Sequence, residues 1–208
     1  MKFRLATFAD ISSLALIHLE CGKIQPDSFM HGLGICFLRT YYRILLNEKS
    51  SVVIIAEDQD KYIHGFCCGS LAAEEHLQNL KKKKISLLIS LIPGIIKTPS
   101  VLIKLLSHNR YINTGGKEST YGVANGTRCE YWGWRPTSKN PGMAVSILEV
   151  WLKIVFDLGS KSVRGEVDII NKGVVKIHQT LGAKIVNELD LPDGRKRIFY
   201  EYSSRPKR

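Results

Sequence analysis

Acidic residues are scarce in this chain: 19 Asp and Glu stand against 30 Lys and Arg, a formal charge of +11. Such an excess concentrates anions around a protein, whether phosphates, nucleotides, nucleic acid or acidic lipid, without choosing among them. Metal-binding patterns are missing as well. The five cysteines, Cys21, Cys36, Cys67, Cys68 and Cys129, form no CxxC pair and stand at no zinc-site spacing from a histidine, so no metal is expected. Their odd number points to a reduced, intracellular chain, and cytoplasmic localisation is the expectation. Residues 1–10 lack the apolar stretch and small-residue cleavage site of an export signal. No unbroken apolar run reaches the roughly 20 residues that span a bilayer. Repeats and obvious linkers are absent too, so residues 1–208 read as one domain. With 44% hydrophobic and 24% charged residues, general disorder is excluded.

What is present alternates between strand and helix patterns. Lys2-Phe3-Arg4-Leu5 reads as a half-buried strand, and Asp10 is placed to cap a helix carrying Ile11, Leu14, Ala15 and Ile17. Residues 33–46 have helical periodicity, with Arg39 and Arg43 on the polar side. The β-branched run 51–57 and the apolar stretch 62–71 flank a polar turn and predict a hairpin. Residues 74–107 change texture: Lys81 to Lys84, then an apolar helical pattern broken at Pro93-Gly94 and at Pro99. This predicts a helical insertion after the third strand. Residues 109–127, rich in Gly, Asn, Ser and Thr, read as a mobile loop. Beyond it the pattern gives strand 128–134, helix 143–158, strand 162–168, helix 172–181 and strand 197–202. The fold class is α+β, a mixed sheet flanked by helices.

One strand–turn–helix junction carries chemistry. From Trp132 to Val145 the chain runs Trp132-Gly133-Trp134-Arg135-Pro136-Thr137-Ser138-Lys139-Asn140-Pro141-Gly142-Met143-Ala144-Val145. The first amides of a helix lack intrahelical acceptors and face the positive end of its dipole, so such a turn can hold a diphosphate. Gly142 allows close backbone approach and Lys139 adds a point charge.

The segment resembles the acetyl-CoA-binding motif of the GNAT superfamily of N-acetyltransferases, an apolar strand end, then x-Pro, then Arg/Gln-x-x-Gly-x-Gly/Ala opening a helix. Trp134, Pro136, Gly142, Met143 and Ala144 match it. Lys139 replaces Arg or Gln, Asn140 follows it in the turn, and Pro141 removes an amide donor. A second stretch resembles the family's next strand and helix: Glu166-Val167-Asp168-Ile169-Ile170-Asn171, then His178, Gly182 and Ala183. There Asn171 stands where the family's Asn contacts the cofactor, and His178 replaces the usual Tyr. Together the motifs cover residues 128–202 and imply a mostly antiparallel GNAT-like sheet.

The resemblance implies transfer of acetyl from acetyl-CoA to a primary amine of a small molecule, such as a nucleotide-linked amino sugar, or of a protein. The attacking amine must be neutral, so a base takes its proton. The thioester oxygen needs a preset donor, which the resemblance assigns to a backbone N–H near Trp134. Cofactor contacts are expected from Trp134, Lys139, Asn140, Gly142, Met143, Ala144, Asn171 and His178. His178 is a candidate acid for the departing thiolate, and its bland alternative is packing beside the sheet. Glu166, where relatives acting on protein N-termini carry a base, is the first base candidate; Glu130 is its rival and Glu57 a weaker one. Each could equally be a structural acid. Asn171 could also serve as an N-cap. Trp132 and Trp134 share a strand face and read as core, as does Cys67-Cys68.

Residues 81–106, lysines followed by broken apolar helix, fit an amphipathic lid beside the acceptor site better than a peripheral membrane contact. A non-catalytic acyl-CoA-binding or basic interaction module is the alternative from another class. Specific nucleic-acid binding is not expected, because the basic residues are scattered without interleaved aromatics.

Overall fold

The computed structural model describes residues 1–24, 29–97, 125–191 and 194–206. Its strands are β1 (Lys2–Leu5), β2 (Ser51–Glu57), β3 (Ile63–Ser70), β4 (Thr127–Trp134), β5 (Val163–Asp168), β6 (Lys184–Asp190) and β7 (Lys196–Tyr202). The helices are α1 (Ile11–Ile24), the single turn α2 (Phe29–Gly32), α3 (Gly34–Leu46), α4 (Ala73–Lys82), α5 (Lys84–Lys97), α6 (Gly142–Asp157) and α7 (Lys172–Thr180). All seven strands join one sheet in the order β1-β2-β3-β4-β5-β7-β6. Every neighbouring pair is antiparallel except β4 and β5.

Within Ser51–Glu57 the five central residues, Val52 to Ala56, are all apolar because both faces of the strand are covered there. Val52, Ile54 and Ala56 pack under α6 with Ile147, Leu148, Trp151, Leu152 and Val155. Val53 and Ile55 pack on the opposite side with Leu14 and Ile17 of α1 and Leu38, Tyr42 and Leu45 of α3. Arg39 and Arg43 are exposed on α3, as the periodicity predicts. Trp151 spans the first core and donates from Nε1 to the Val52 carbonyl at 2.9 Å.

Several expectations change. Asp10 does not cap α1; its carboxylate turns back to accept the Thr7 amide at 2.7 Å and the Arg4 guanidinium at 2.8 and 3.0 Å. A 3₁₀ turn at Phe8–Asp10 precedes α1, and Arg4 on β1 draws the acid toward the sheet. The expected break at Pro93-Gly94 is absent, since α5 continues through Pro93 to Lys97. Gly94 explains why a small residue sits there: a Cβ would lie 2.7 Å from the Leu33 carbonyl oxygen of the neighbouring segment. Strand β6 escaped the sequence reading altogether. The expected loop at 109–127 and the end of the insertion beyond 97 lie mostly outside the described residues.

Candidate active site

Strands β4 and β5 pair only at Thr127↔Val163 and Arg128↔Arg164, then separate. β3 stays with β4 to Trp134, and β7 stays with β5 to Asp168. Past Arg128 each inner strand therefore has one edge without a strand neighbour, and backbone groups on such an edge need another partner. Arg135 donates its amide to the His64 carbonyl on β3 at 2.8 Å. Backbone alternation then turns the Trp134 N–H and C=O toward the open side, where the carbonyl accepts Cys21 Sγ at 3.2 Å. The Trp134 amide is thus aimed into the gap where the sequence reading places an oxyanion donor.

The turn beyond Trp134 is exposed at Pro136, Thr137 and Lys139 to Gly142. Asn140 takes a left-handed φ of 79°, which Asn tolerates better than most residues. The first turn of α6 is tight: Met143 and Ala144 donate to the Asn140 and Pro141 carbonyls, both at 3.1 Å. Two amides expected to be free for an anion are therefore engaged within the chain. The Gly142 amide, one residue ahead, has no protein acceptor among the described residues, and a Cβ at Gly142 would meet nothing within 4 Å. Trp132 ties the strand to this turn, donating from Nε1 to the Ala144 carbonyl at 2.7 Å. Both Trp132 and Trp134 pack on the α6 side of the sheet.

Asn171 stands at the N-terminus of α7, yet its side chain makes no capping bond; its carbonyl accepts Val175 N–H at 3.1 Å. Its side-chain amide has no hydrogen-bond partner among the described residues, while its backbone N–H donates to the Asp168 carbonyl at 2.9 Å. His178 is buried on α7, with Nδ1 2.8 Å from the Tyr202 hydroxyl and its ring stacked 3.9 Å from Tyr200. The Trp132 ring meets it edge-on at 5.9 Å. Burial lowers its pKa to about 4, so the ring is neutral at pH 7. The near-neutral titration that suggested an acid is moved out of reach by desolvation.

Two of the three candidate bases, Glu166 and Glu130, lie in one ion-pair network across the parting strands. Both Glu166 oxygens are taken: Oε1 by Arg128 at 2.7 Å and Oε2 by Arg197 at 2.9 Å. Asp168 binds Arg197 at 2.8 Å and Arg195 at 2.9 Å. Glu130 sits where β4 bulges against β3, between Tyr131↔Cys68 and Cys129↔Gly69. Its ion contact is longer, Oε1 to Arg128 Nε at 3.4 Å. Glu57 is far from this network, paired with Arg4 at 2.8 Å.

Sequence reasoning missed the braces of the site. Ser138 Oγ lies 2.8 Å from His64 Nδ1, whose Nε2 lies 2.8 Å from Asp58 Oδ2. Arg135 is buried, donates Nε to the Ile63 carbonyl at 2.8 Å, pairs with Glu20 and stacks over Tyr62. Arg128 and Arg197, absent from the sequence-based candidates, organise the acids. Apart from His64 and Asp58, these partners are dozens of residues apart, and tertiary pairing, the β3–β4, β4–β5 and β5–β7 registers foremost, brings them together.

Solved acetyltransferases, members of the GNAT superfamily among them, share this fold. Ribosomal-protein-alanine N-acetyltransferase from Brucella melitensis superposes with a TM-score of 0.63 at 11% identity, covering 98% of this chain and 100% of that one. A GNAT superfamily phosphinothricin acetyltransferase from Sinorhizobium meliloti, in complex with acetyl-CoA, gives 0.63 at 10% identity, covering 97% and 86%. A chimeric spermidine N-acetyltransferase with Vibrio cholerae sequence gives 0.59 at 12% identity, covering 97% of each. No protein-family model and no curated protein sequence matches the chain.

Proposed function

We propose that this chain is an acetyl-CoA-dependent N-acetyltransferase acting on a primary amine. The observation that supports it most is the separation of β4 from β5 after two residue pairs, beside an exposed turn that opens α6. The residues fit the coenzyme. The free Gly142 amide and Lys139 suit a diphosphate, the uncommitted Asn171 amide suits a polar linker, and the open edge of β4 suits an amide-bearing arm. Met143 and Ala144 would shape the turn more than donate to it. When bound, the coenzyme supplies an acyl group activated as a thioester.

The Trp134 amide would stabilise negative charge developing on the acyl oxygen. Glu130 is the proposed proton acceptor for the amine, in preference to Glu166, because both Glu166 oxygens are engaged by guanidinium groups. Arg128 links the two acids and holds Glu130 at the strand gap. His178, neutral and buried, would position β7 and Trp132, and it remains a candidate acid only through its neutral N–H. The acceptor would be an anionic small molecule, such as a nucleotide-linked amino sugar drawn by the +11 charge, or a protein amine.

A second reading, a non-catalytic acyl-CoA-binding module, is favoured by the same two facts: His178 is neutral and Glu166 is saturated. Calorimetric titration with acetyl-CoA followed by CoA release over an amine panel separates the two. Glu130→Gln is expected to keep acetyl-CoA affinity and to lower turnover by about 10²–10⁴-fold, the usual worth of a general base. Binding without turnover on any amine supports the module; absence of binding overturns both.

A further inference from the structure

Helix α5 is apolar on two sides. Leu87 joins the α1–α3 core, while Leu91 is buried with Leu33 among Met30, Phe37 and Ile95. These residues recur every fourth position and fasten the helix to α3. On the other side Ile85, Leu88, Ile89, Ile92 and Ile96 are 66, 61, 61, 52 and 75% exposed. Spaced at i, i+3, i+4, i+7 and i+11, they form a stripe along the whole helix. A lid needs one apolar face, and the face toward α3 already supplies it. The outer stripe is surplus, and contiguous apolar surface of this kind marks an interaction site.

Charge identifies the partner. Lys81, Lys82, Lys83 and Lys84 are all exposed at the N-terminal end of the stripe. No ion pair engages them among the described residues, and no acidic residue occurs from Leu77 to Lys97. A second copy of this chain would meet the stripe with more lysines and no carboxylate on α5, and each copy carries +11. An anionic bilayer answers both features, since aliphatic side chains enter the acyl boundary while ammonium groups meet lipid phosphates and carboxylates. The helix would lie in the surface plane. Its 14 residues are short for a span, and no described helix is long and apolar enough to cross a membrane.

We propose that α5 and its preceding lysines form a peripheral docking element for anionic membrane surfaces. The test is co-sedimentation of the full chain with vesicles of phosphatidylcholine alone or mixed with phosphatidylserine. Binding is expected only to the mixed vesicles, weakening as salt rises. Replacing all four lysines by Gln, and separately Leu88→Ser with Ile92→Ser, should each weaken partition at least tenfold, with circular dichroism unchanged. No partition into mixed vesicles overturns the proposal. So does partition that survives both variants, which would assign it to other basic surface. Concentration-dependent dimerisation abolished by Leu88→Ser with Ile92→Ser, without vesicle binding, would assign the stripe to a second copy and overturn it as well.

Discussion

Ser138 ties the turn before α6 to β3 through a single side chain. Serine, imidazole and carboxylate stand in the order of a proton relay, with His64 bridging Ser138 and Asp58 at 2.8 Å on both sides. Its place is the turn before α6, where the bond to His64 on β3 braces that turn against the sheet. Asp58 is held below the ordinary carboxylate range by the His64 hydrogen bond and by the Tyr62 amide, which keeps the acceptor end ionised. Ser138→Ala removes one hydrogen bond from an otherwise exposed turn, an effect of about 0.5–1.5 kcal/mol. The melting temperature should fall by a few degrees at most, and under the proposed function acetyl-CoA affinity should fall by roughly 2–10-fold. Calorimetric titration checks this, and an unchanged dissociation constant would show that the turn needs no brace. Glu130 makes the complementary case, since Glu130→Gln should spare affinity and remove turnover. The two substitutions separate holding from reacting.

At the scale of elements, α5 shows what a sequence pattern omits. Proline disfavours a helix interior because it loses one backbone bond and crowds the preceding turn, so Pro93 reads as a break. In the fold Pro93 is exposed, and the helix is held on both sides of it by Leu91 and Ile95 against α2 and α3. Gly94 is the position with no slack, because a Cβ there would press on the Leu33 carbonyl. Gly94→Val is expected to cost about 1–3 kcal/mol by overpacking, read as a lower denaturant midpoint; an unchanged midpoint would mean that α5 moves aside freely. β6 was invisible for the opposite reason. Its residues Lys184 to Asp190 are nearly all exposed at the sheet edge, so no face imposes alternation on them. Strand β2 was legible because two cores write apolar residues at every position from Val52 to Ala56. The site divides in the same way: Gly142 and Asn171 were legible as local backbone motifs, whereas His64, Arg128 and Arg197 depend on strand register.

For the molecule as a whole, the two sides of the sheet carry the same acid-sensitive device. His18 of α1 is buried against Tyr42 and Tyr131, with Nδ1 2.6 Å from the Tyr42 hydroxyl. His178 of α7 is buried against Tyr200 and Tyr202. Burial, aided for His18 by the nearby His31, lowers their pKa values to about 3 and about 4, from 6.5. Between those values and 6.5 the unfolded chain binds protons that the folded chain refuses, so stability rises with pH across that window and is lost on acidification. At pH 5 each histidine should have withdrawn about 2 kcal/mol relative to pH 7. Urea midpoints should therefore drop steeply from pH 7 to pH 5, and His178→Phe should flatten the slope by about one histidine's share. The hydroxyl of Tyr202 loses its partner in that variant, so stability at pH 7 falls while the dependence on pH weakens. A midpoint that stayed level between pH 7 and pH 5 in the parent chain would mean that neither imidazole is shut away from water.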